Sequence, residues 1–518
     1  MILITSAAYA SPALVSEFGK LPPSMLPVQN KRLYEHQVQL MDNGDYGKVF
    51  ITLPRNYNLT DIDAKKLKIA GVVPIYVPEG FSLGQSVVYS LNVIGCYDES
   101  LYILHGDTLF SNLITDTDVY AVSKAEDDYA WSVVKESNDG DVYAGFFSFS
   151  SISRLISKIA ENDYIFMDGV NAYREENSMR PVSLPNWMDF GLINSYYRSI
   201  SRMTTQRVFN FLKIKQHSLI KYSSDKKKIL AEANWFASVP KKMRQYTPSL
   251  WDYGVTKDGR GFYEIEYYYQ SSLANLFVFG RNPLFVWKDI LNSCTEYIND
   301  EARYKPEDIY RTTQQNTQLY GVKTMERLSK YAEQVRVKLN EPWQINGVST
   351  PCLNEIVYEM DSEIEKENDV FSTMMHGDFC FSNILYDFKS KSIKVIDPRG
   401  LDLEGRQSIY GDLRYDVAKL AHSIIGMYDY IIGGNFDYSE ITQYKVMLSF
   451  PSNDNIITIQ DFFKQIKFAG YSLEDLSVYP ILVHLFLSML PLHSDNPVRQ
   501  KAFIANALRL YVEYKNKK

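Results

Sequence analysis

The chain has 518 residues, a formal net charge of -7 at pH 7, 45% hydrophobic residues and four cysteines. That length exceeds what one hydrophobic core serves, so two or three domains are expected. The acidic balance lacks a basic stripe and excludes a nucleic-acid surface; Cys96, Cys294, Cys352 and Cys380 form no CxxC pair, which argues against a zinc site or disulfide framework and for a reducing cytoplasm.

The opening Met1 to Ala10 ends in an Ala-x-Ala-like pattern, but it has no basic start and a very short apolar run, so it does not read as a secretory leader. Strand and helix signals then alternate to about residue 200, which predicts an α/β unit with a mainly parallel sheet. Strands are expected at Met1–Thr5, Lys48–Leu53, Val72–Val77 and Ser100–Leu104. The last ends in His105-Gly106-Asp107, and an acid at the carboxyl end of a parallel strand sits where α/β folds hold ligands. His105 is expected to pack or cap the strand end.

Four segments carry a resemblance. Leu21 to Gln37 reads LPPSMLPVQNKRLYEHQ, Gly80 to Ser86 reads GFSLGQS, Tyr143 to Phe149 reads YAGFFSF, and Trp187 to Gly191 reads WMDFG. In this order they resemble the sugar-phosphate nucleotidyltransferases. The resemblance implies a Rossmann-like domain that binds a nucleoside triphosphate, CTP being one candidate, through a loop containing Gly84, Gln85 and Ser86. It also implies that Asp107 and Asp189 hold one Mg²⁺. The chain departs from that family at its first loop, where Ser6 to Val15 has neither Gly nor Arg, and at Pro23, where a Lys is expected.

Tyr196 to Thr205 reads as a helix end and linker. Beyond it, Phe209–Ile214 and Ser218–Ser223 are expected to pair around the turn Lys215-Gln216-His217, followed by a charged helix with Glu232 near its centre. A strand Lys paired with a Glu of the next helix is how kinases hold nucleotide phosphates, and Lys221 and Glu232 fit those roles. The turn contains no Gly. Glu264 to Tyr269 would lead into a hinge whose backbone meets adenine.

Met375 to Tyr386 reads MHGDFCFSNILY, and Val395 to Gly400 reads VIDPRG. Kinase chemistry needs a carboxylate to orient the acceptor hydroxyl and take its proton, with an amide and a second carboxylate on the metal. Asp378 and Asn383 have the D-x-x-x-x-N spacing of a catalytic loop. A hairpin from Ile384 to Ile396 would bring Asn383 and Asp397 to one end, where one Mg²⁺ meets both. Cys380 reads as a small packing residue. With Gly at the centre of His376-Gly377-Asp378, and GDLRYDVAKL at Gly411 to Leu420, the segment resembles the aminoglycoside phosphotransferase and choline kinase family. Asp416 is expected to pin the catalytic loop. The longest apolar segment, Tyr479 to Leu492, contains His484 and Ser488 and falls short of the ~18 apolar residues of a membrane helix; it reads as a buried helix. Lys515 to Lys518 reads as a solvated tail.

The expected architecture is therefore an α/β domain over residues 1–200, mainly parallel and Rossmann-like, then an α+β protein-kinase-like part with lobes at 201–275 and 276–518. The expected function is bifunctional: ATP-dependent phosphorylation of a small alcohol or sugar with Asp378 as catalytic base, then nucleotidyl transfer to a phosphorylated sugar or alcohol. The resemblance of both halves together implies a setting in capsular or surface polysaccharide synthesis. The alternatives are a kinase with a degenerate nucleotide- or sugar-binding front domain, and a non-catalytic capsule assembly scaffold. Acceptor, nucleotide base and oligomeric state are not legible.

Overall fold

The computed structural model describes residues 1–42, 44–124, 141–203, 210–451 and 454–517. They form two compact units, Met1–Met203 with Phe279–Arg281, and Thr204–Val278 with Asn282–Lys518. Phe209 of the expected first kinase strand, Thr204 and Thr205 of the expected linker, and Lys518 lie outside the described residues.

The first unit is built on a seven-stranded sheet. Its strands are β1 (Ile2–Thr5), β2 (Val49–Pro54), β3 (Val72–Val77), β4 (Leu101–His105), β5 (Val119–Lys124), β6 (Asp141–Phe149) and β7 (Arg180–Ser183). The spatial order is β7-β5-β6-β4-β1-β2-β3. Pairs β1·β2, β1·β4, β2·β3 and β5·β7 are parallel, while β6 runs antiparallel to β4 and β5. The sheet is thus mainly parallel, as the alternation of strand and helix signals predicts. Every residue of β1 is buried, which is why it reads as a continuous apolar run instead of an alternating one. Leu3, Ile103 and Phe147 of the sheet pack with Leu155, Val170 and Leu91, the last from helix α1 (Leu83–Ile94). Strand β7 gave no sequence signal because it is a short, largely exposed edge strand containing Pro181.

The second unit opens with a four-stranded antiparallel sheet: β8 (Asn210–Ile214), β9 (Ser218–Ser223), β10 (Leu250–Val255) and β11 (Gly261–Glu266), in the order β8-β9-β11-β10. Helix α2 (Lys226–Ser238) buries Ile229, Ala233 and Phe236. The rest is mostly helical, with α3 (Leu284–Glu301), α4 (Gly321–Val335), α5 (Leu413–Ile424), α6 (Val478–Ser488) and α7 (Pro497–Lys515) as its long or central members. All of α6 is buried, so it is apolar on every side. Pro480 falls in its first turn, where a missing N–H costs nothing. Among the described residues, no helix is long and apolar enough to cross a membrane. The described C-terminal residues Lys515 to Lys517 are exposed, and Lys517 Nζ donates to the Tyr479 hydroxyl at 2.7 Å and lies over its ring. All four cysteines are free thiols.

Candidate active sites

In the second unit the His376-Gly377-Asp378 turn follows the short strand Ser372–Met374. Gly377 has φ +82, and a Cβ there would sit 2.6 Å from Arg399 Cβ, so this turn admits only glycine without rearrangement. The turn is held from behind by Asp416 of α5. Its carboxylate accepts the backbone N–H groups of His376 at 2.5 Å and Gly377 at 2.8 Å. Burial pushes Asp416 up to about 7, against the pull of these N–H donors. His376 is fully buried, and burial pushes its imidazole down to about 4. It is therefore a neutral structural ring whose Nδ1 accepts the Asp378 N–H at 3.2 Å.

Asp378 points the other way. Asn383 Nδ2 donates to its backbone carbonyl and to Oδ2, both at 3.0 Å, and Lys419 Nζ lies 2.8 Å from Oδ1. Burial would raise the Asp378 pKa, but the Lys419 charge overcomes it and holds the carboxyl below its usual range. The group is ionised at neutral pH and keeps 42% of its side chain exposed. These are the properties of a base that receives a hydroxyl. Cys380 beside it is buried, and burial pushes its thiol upward, so the sulfur is inert.

After Asn383 comes a hairpin of β12 (Ile384–Asp387) and β13 (Ser392–Val395), with Ile384 opposite Val395. The Ile396 N–H donates to the Asn383 carbonyl at 3.0 Å, so the pairing carries Asp397 to the Asn383 end. Asp397 adopts a left-handed backbone, φ +57, where the strand breaks off. Its carboxylate Oδ1 lies 3.0 Å from Lys221 Nζ. Lys221 on β9 also lies 2.7 Å from Glu232 Oε2 of α2. Burial alone would lower the Lys221 pKa; the Asp397 and Glu232 carboxylates more than reverse that, and it stays charged. Glu232 is raised by burial, with Lys221 opposing. Tyr263 of β11 completes the cluster, its hydroxyl donating to Glu232 at 3.2 Å and to Asp397 at 3.4 Å.

The structure thus brings Lys221, Glu232 and Asp397 into one charge cluster, and Asp378 and Asn383 into another at the end of the same hairpin. The Asn383 amide and the Asp397 carboxylate offer oxygen donors, which suit a hard cation such as Mg²⁺. Three residues of the site carried no assigned role in the sequence. Tyr263 shares its buried face with Ile265. Lys419 sits three residues after Asp416 on α5, inside a motif whose acid alone drew attention. Trp235 of α2 donates its indole N–H to the Met375 carbonyl at 2.9 Å and so props the His376-Gly377-Asp378 turn.

In the first unit, Asp107 follows β4 and Asp189 lies on a two-residue strand, Met188–Asp189, paired with Thr108–Leu109. The Phe190 N–H donates to the Asp107 carbonyl at 2.8 Å. A Cβ on Gly191 would be 2.7 Å from Asp107 Oδ2 and 3.4 Å from Asp189 Oδ1, so both carboxylates converge on this one glycine. Asp107 and Gly191 line a cavity of about 270 Å³ with Ser6, Tyr9, Ser86 and Phe190. A larger depression, about 860 Å³, lies along β3 and is lined by Arg55, Tyr57 and Lys68 with no carboxylate.

The three expected nucleotide-loop residues part company here. Gln85 is spent on a helix cap: Ser82 Oγ accepts the Gln85 N–H at 3.2 Å, and Gln85 Oε1 accepts the Ser82 N–H at 2.9 Å. Gly84 is buried where a Cβ would meet the Tyr164 carbonyl at 2.2 Å. Of the three, Ser86 lines the cavity. His105 packs its ring against Phe147 and Phe166, and burial lowers its pKa. Among the described residues, no three His, Cys, Asp or Glu side chains gather at a metal-sized site. In both units the candidate ligands are one pair, a donor set that suits a cation shared with substrate phosphate oxygens.

The folds are an α/β unit on a mainly parallel sheet and an α+β unit in which an antiparallel sheet precedes a mostly helical part. No protein-family model and no curated sequence matches the chain. Among solved structures, part of the chain is similar to a protein described as a glucose-1-phosphate thymidylyltransferase from Bacillus anthracis, in complex with sucrose. The identity is 14% and the TM-score 0.32, over 40% of this chain and 96% of that one. A UDP-glucose pyrophosphorylase complexed with UDP-glucose is similar at 12% identity and TM-score 0.28, over 39% and 97%. A thermostable mutant of aminoglycoside phosphotransferase APH(4)-Ia is similar at 12% identity and TM-score 0.34, over 60% and 93%.

Proposed function

We propose that the second unit is an ATP-dependent phosphotransferase acting on a small hydroxyl compound. One observation carries this reading: a buried Lys221–Glu232 pair reaches Asp397 at 3.0 Å, at the same end of a hairpin that presents Asn383 and, bonded to it, the ionised Asp378. Lys221 would hold the nucleotide phosphates. Asn383 and Asp397 would hold Mg²⁺, which when bound offsets charge on the phosphate oxygens. Asp378 accepts the proton of the acceptor hydroxyl. The hydroxyl oxygen forms a bond to the γ-phosphorus of ATP, the bond to the β–γ bridging oxygen breaks, and ADP leaves. Lys419 keeps Asp378 ionised and aimed.

The first unit is proposed as a nucleotidyltransferase. Asp107 and Asp189 would share Mg²⁺ with the phosphates of a nucleoside triphosphate. A phosphate oxygen of a phosphorylated alcohol or sugar attacks the α-phosphorus, and pyrophosphate leaves. The kinase product is then the transferase substrate. A setting in surface polysaccharide precursor synthesis rests on the resemblance of the motifs in both halves.

A second reading has its own observation. The cavity beside Asp107 is walled by Ala7, Ala8, Tyr9 and Ala10, where triphosphate-binding loops use glycine amides and a cation; Lys20 lies over the Tyr9 ring, 4.1 Å from its centroid. In this reading the first unit binds a nucleotide or sugar and the kinase alone is catalytic. The test is a mass-spectrometric screen of the full chain with ATP and small alcohols and sugars, with pyrophosphate release measured in parallel over several NTPs. Product formation that survives Asp378→Ala and Asp397→Ala sinks the kinase assignment. Nucleotide binding without pyrophosphate release selects the second reading.

A further inference from the structure

The surroundings of Asp378 are cationic beyond what the proposed phosphoryl transfer uses. Helix α4 carries Lys323 and Arg327 four residues apart, and α5 carries Tyr415 and Lys419 at the same spacing, so each pair shares one helix face. The two faces meet, since Lys323 Nζ lies 5.4 Å from the Tyr415 ring centroid. Arg399 stacks its aliphatic stem on Gly377, next to Asp378. Lys419 is matched by Asp378 at 2.8 Å, and Arg327 donates to the Ser488 carbonyl at 3.1 Å. Neither Lys323 nor Arg399 pairs with a carboxylate among the described residues.

Lys323, Lys419 and Arg399 thus all lie close enough to act on Tyr415, and the carboxylate that acts there with them, Asp378, is already matched to Lys419. The crowding has a cost that the protein retains: burial, with Arg399, Arg327 and Lys419 adding to it, pushes Lys323 down to about 8. A neutral polyol needs no such cluster, and a cationic amino sugar would be repelled by it. An anion placed between Lys323 and Arg399 would relieve both the burial and the like-charge repulsion. Lys221 and Asp397, which pair with each other, serve the nucleotide side, so this cluster is left for the acceptor.

We propose that the acceptor phosphorylated at Asp378 carries an anionic group of its own, a carboxylate or a phosphate, held by Lys323 and Arg399 with Arg327 behind them. This rests on the kinase reading of the same site. It narrows the substrate to hydroxy acids and already phosphorylated alcohols or sugars.

The test is calorimetric titration of the full chain, loaded with magnesium and a non-hydrolysable ATP analogue. The probes are two triplets: glycerol, glycerate and glycerol 3-phosphate; glucose, glucuronate and glucose 6-phosphate. An acidic member is expected to bind roughly 10-fold or more tightly than its neutral parent, and Lys323→Met to weaken it by a similar factor, with Lys323→Arg restoring part of the loss. Arg399→Gln is a second variant with the same expectation. Whether the carboxylate or the phosphate member binds decides the source of the charge. Binding of the neutral parents equal to that of the acids, or no binding by any acid, overturns the proposal. So does a parallel loss of ATP-analogue affinity in Lys323→Met, which would make ATP itself the anion. Failure of the kinase reading looks different: wild type would not bind the ATP analogue at all.

Discussion

Replacing Lys221 with Met isolates the energetics of the nucleotide-side cluster. Its ammonium and the Glu232 carboxylate are 2.7 Å apart, with 6% and 3% of their side chains exposed. Losing one partner of such a pair strands the other, at a typical cost of about 3–5 kcal/mol. Asp397, 45% exposed, can turn to solvent, so most of the penalty falls on Glu232, which keeps the Tyr263 hydroxyl as a hydrogen-bond donor. Lys221→Met is therefore expected to destabilise the second unit by about 3 kcal/mol near neutral pH. Lys221→Met/Glu232→Met, which removes both charges, recovers most of it. Burial already raises the Glu232 pKa, and Lys221 is its main opponent, so the single variant raises it further. A carboxyl whose folded pKa lies above its unfolded one contributes stability at low pH and loses it as pH rises through the folded value. The deficit of Lys221→Met should thus be smallest in acid and grow toward neutral pH. Urea unfolding of the full chain, following the transition of the second unit at several pH values, reads all three quantities. A single variant as stable as wild type, or a double variant no better than the single, refutes the reasoning.

Asp378→Asn should lower ATP-dependent phosphorylation by about 10²–10⁴-fold and also lower the melting temperature, because it strands the largely buried Lys419 ammonium, which pairs a product assay with calorimetry. Asp416→Asn leaves one acceptor oxygen for the two N–H groups of His376 and Gly377, so kcat should fall with little change in ATP-analogue affinity. Asp107→Ala and Asp189→Ala should each abolish pyrophosphate release and spare phosphorylation; loss of both activities together would contradict separate sites. Lys323 titrates near 8 under burial and the charges of Arg399, Arg327 and Lys419, opposed by Tyr415, so the KM of an acidic acceptor should rise as pH climbs through about 8. Lys323→Arg should flatten that rise.

What could be read in the sequence follows from how far apart the interacting residues lie. Asn383 and Asp397 belong to one hairpin, so spacing alone predicts their meeting, and the structure has that hairpin. Lys221 and Glu232 are consecutive strand and helix residues, 11 positions apart. Lys419, Tyr263 and Lys323 each reach the site from a separate element, and no local pattern separates them from other buried aromatic or helical surface residues. Gln85 shows a different limit. Ser82-Leu83-Gly84-Gln85 suits a nucleotide loop, yet S-x-x-Q is also a capping box, and the backbone N–H groups of the helix start claim both side chains. Strand β7 was invisible because an exposed edge strand has no apolar alternation.

The two halves of the kinase-like site also differ in how they can assemble as the chain folds. Asp378, Asn383 and Asp397 lie on one loop and its hairpin, whose ladder joins residues a few positions apart. Lys221 reaches Asp397 across 176 residues and Trp235 reaches Met375 across 140. Contacts that close long loops form late, because chain entropy must be spent before they return anything. The loop and hairpin that carry Asp378, Asn383 and Asp397 can therefore take shape as a local unit, and the Lys221–Asp397 contact exists only once the antiparallel sheet has docked. A partly folded chain would carry Asp378 and its Asn383 neighbour in place before Lys221 could reach Asp397.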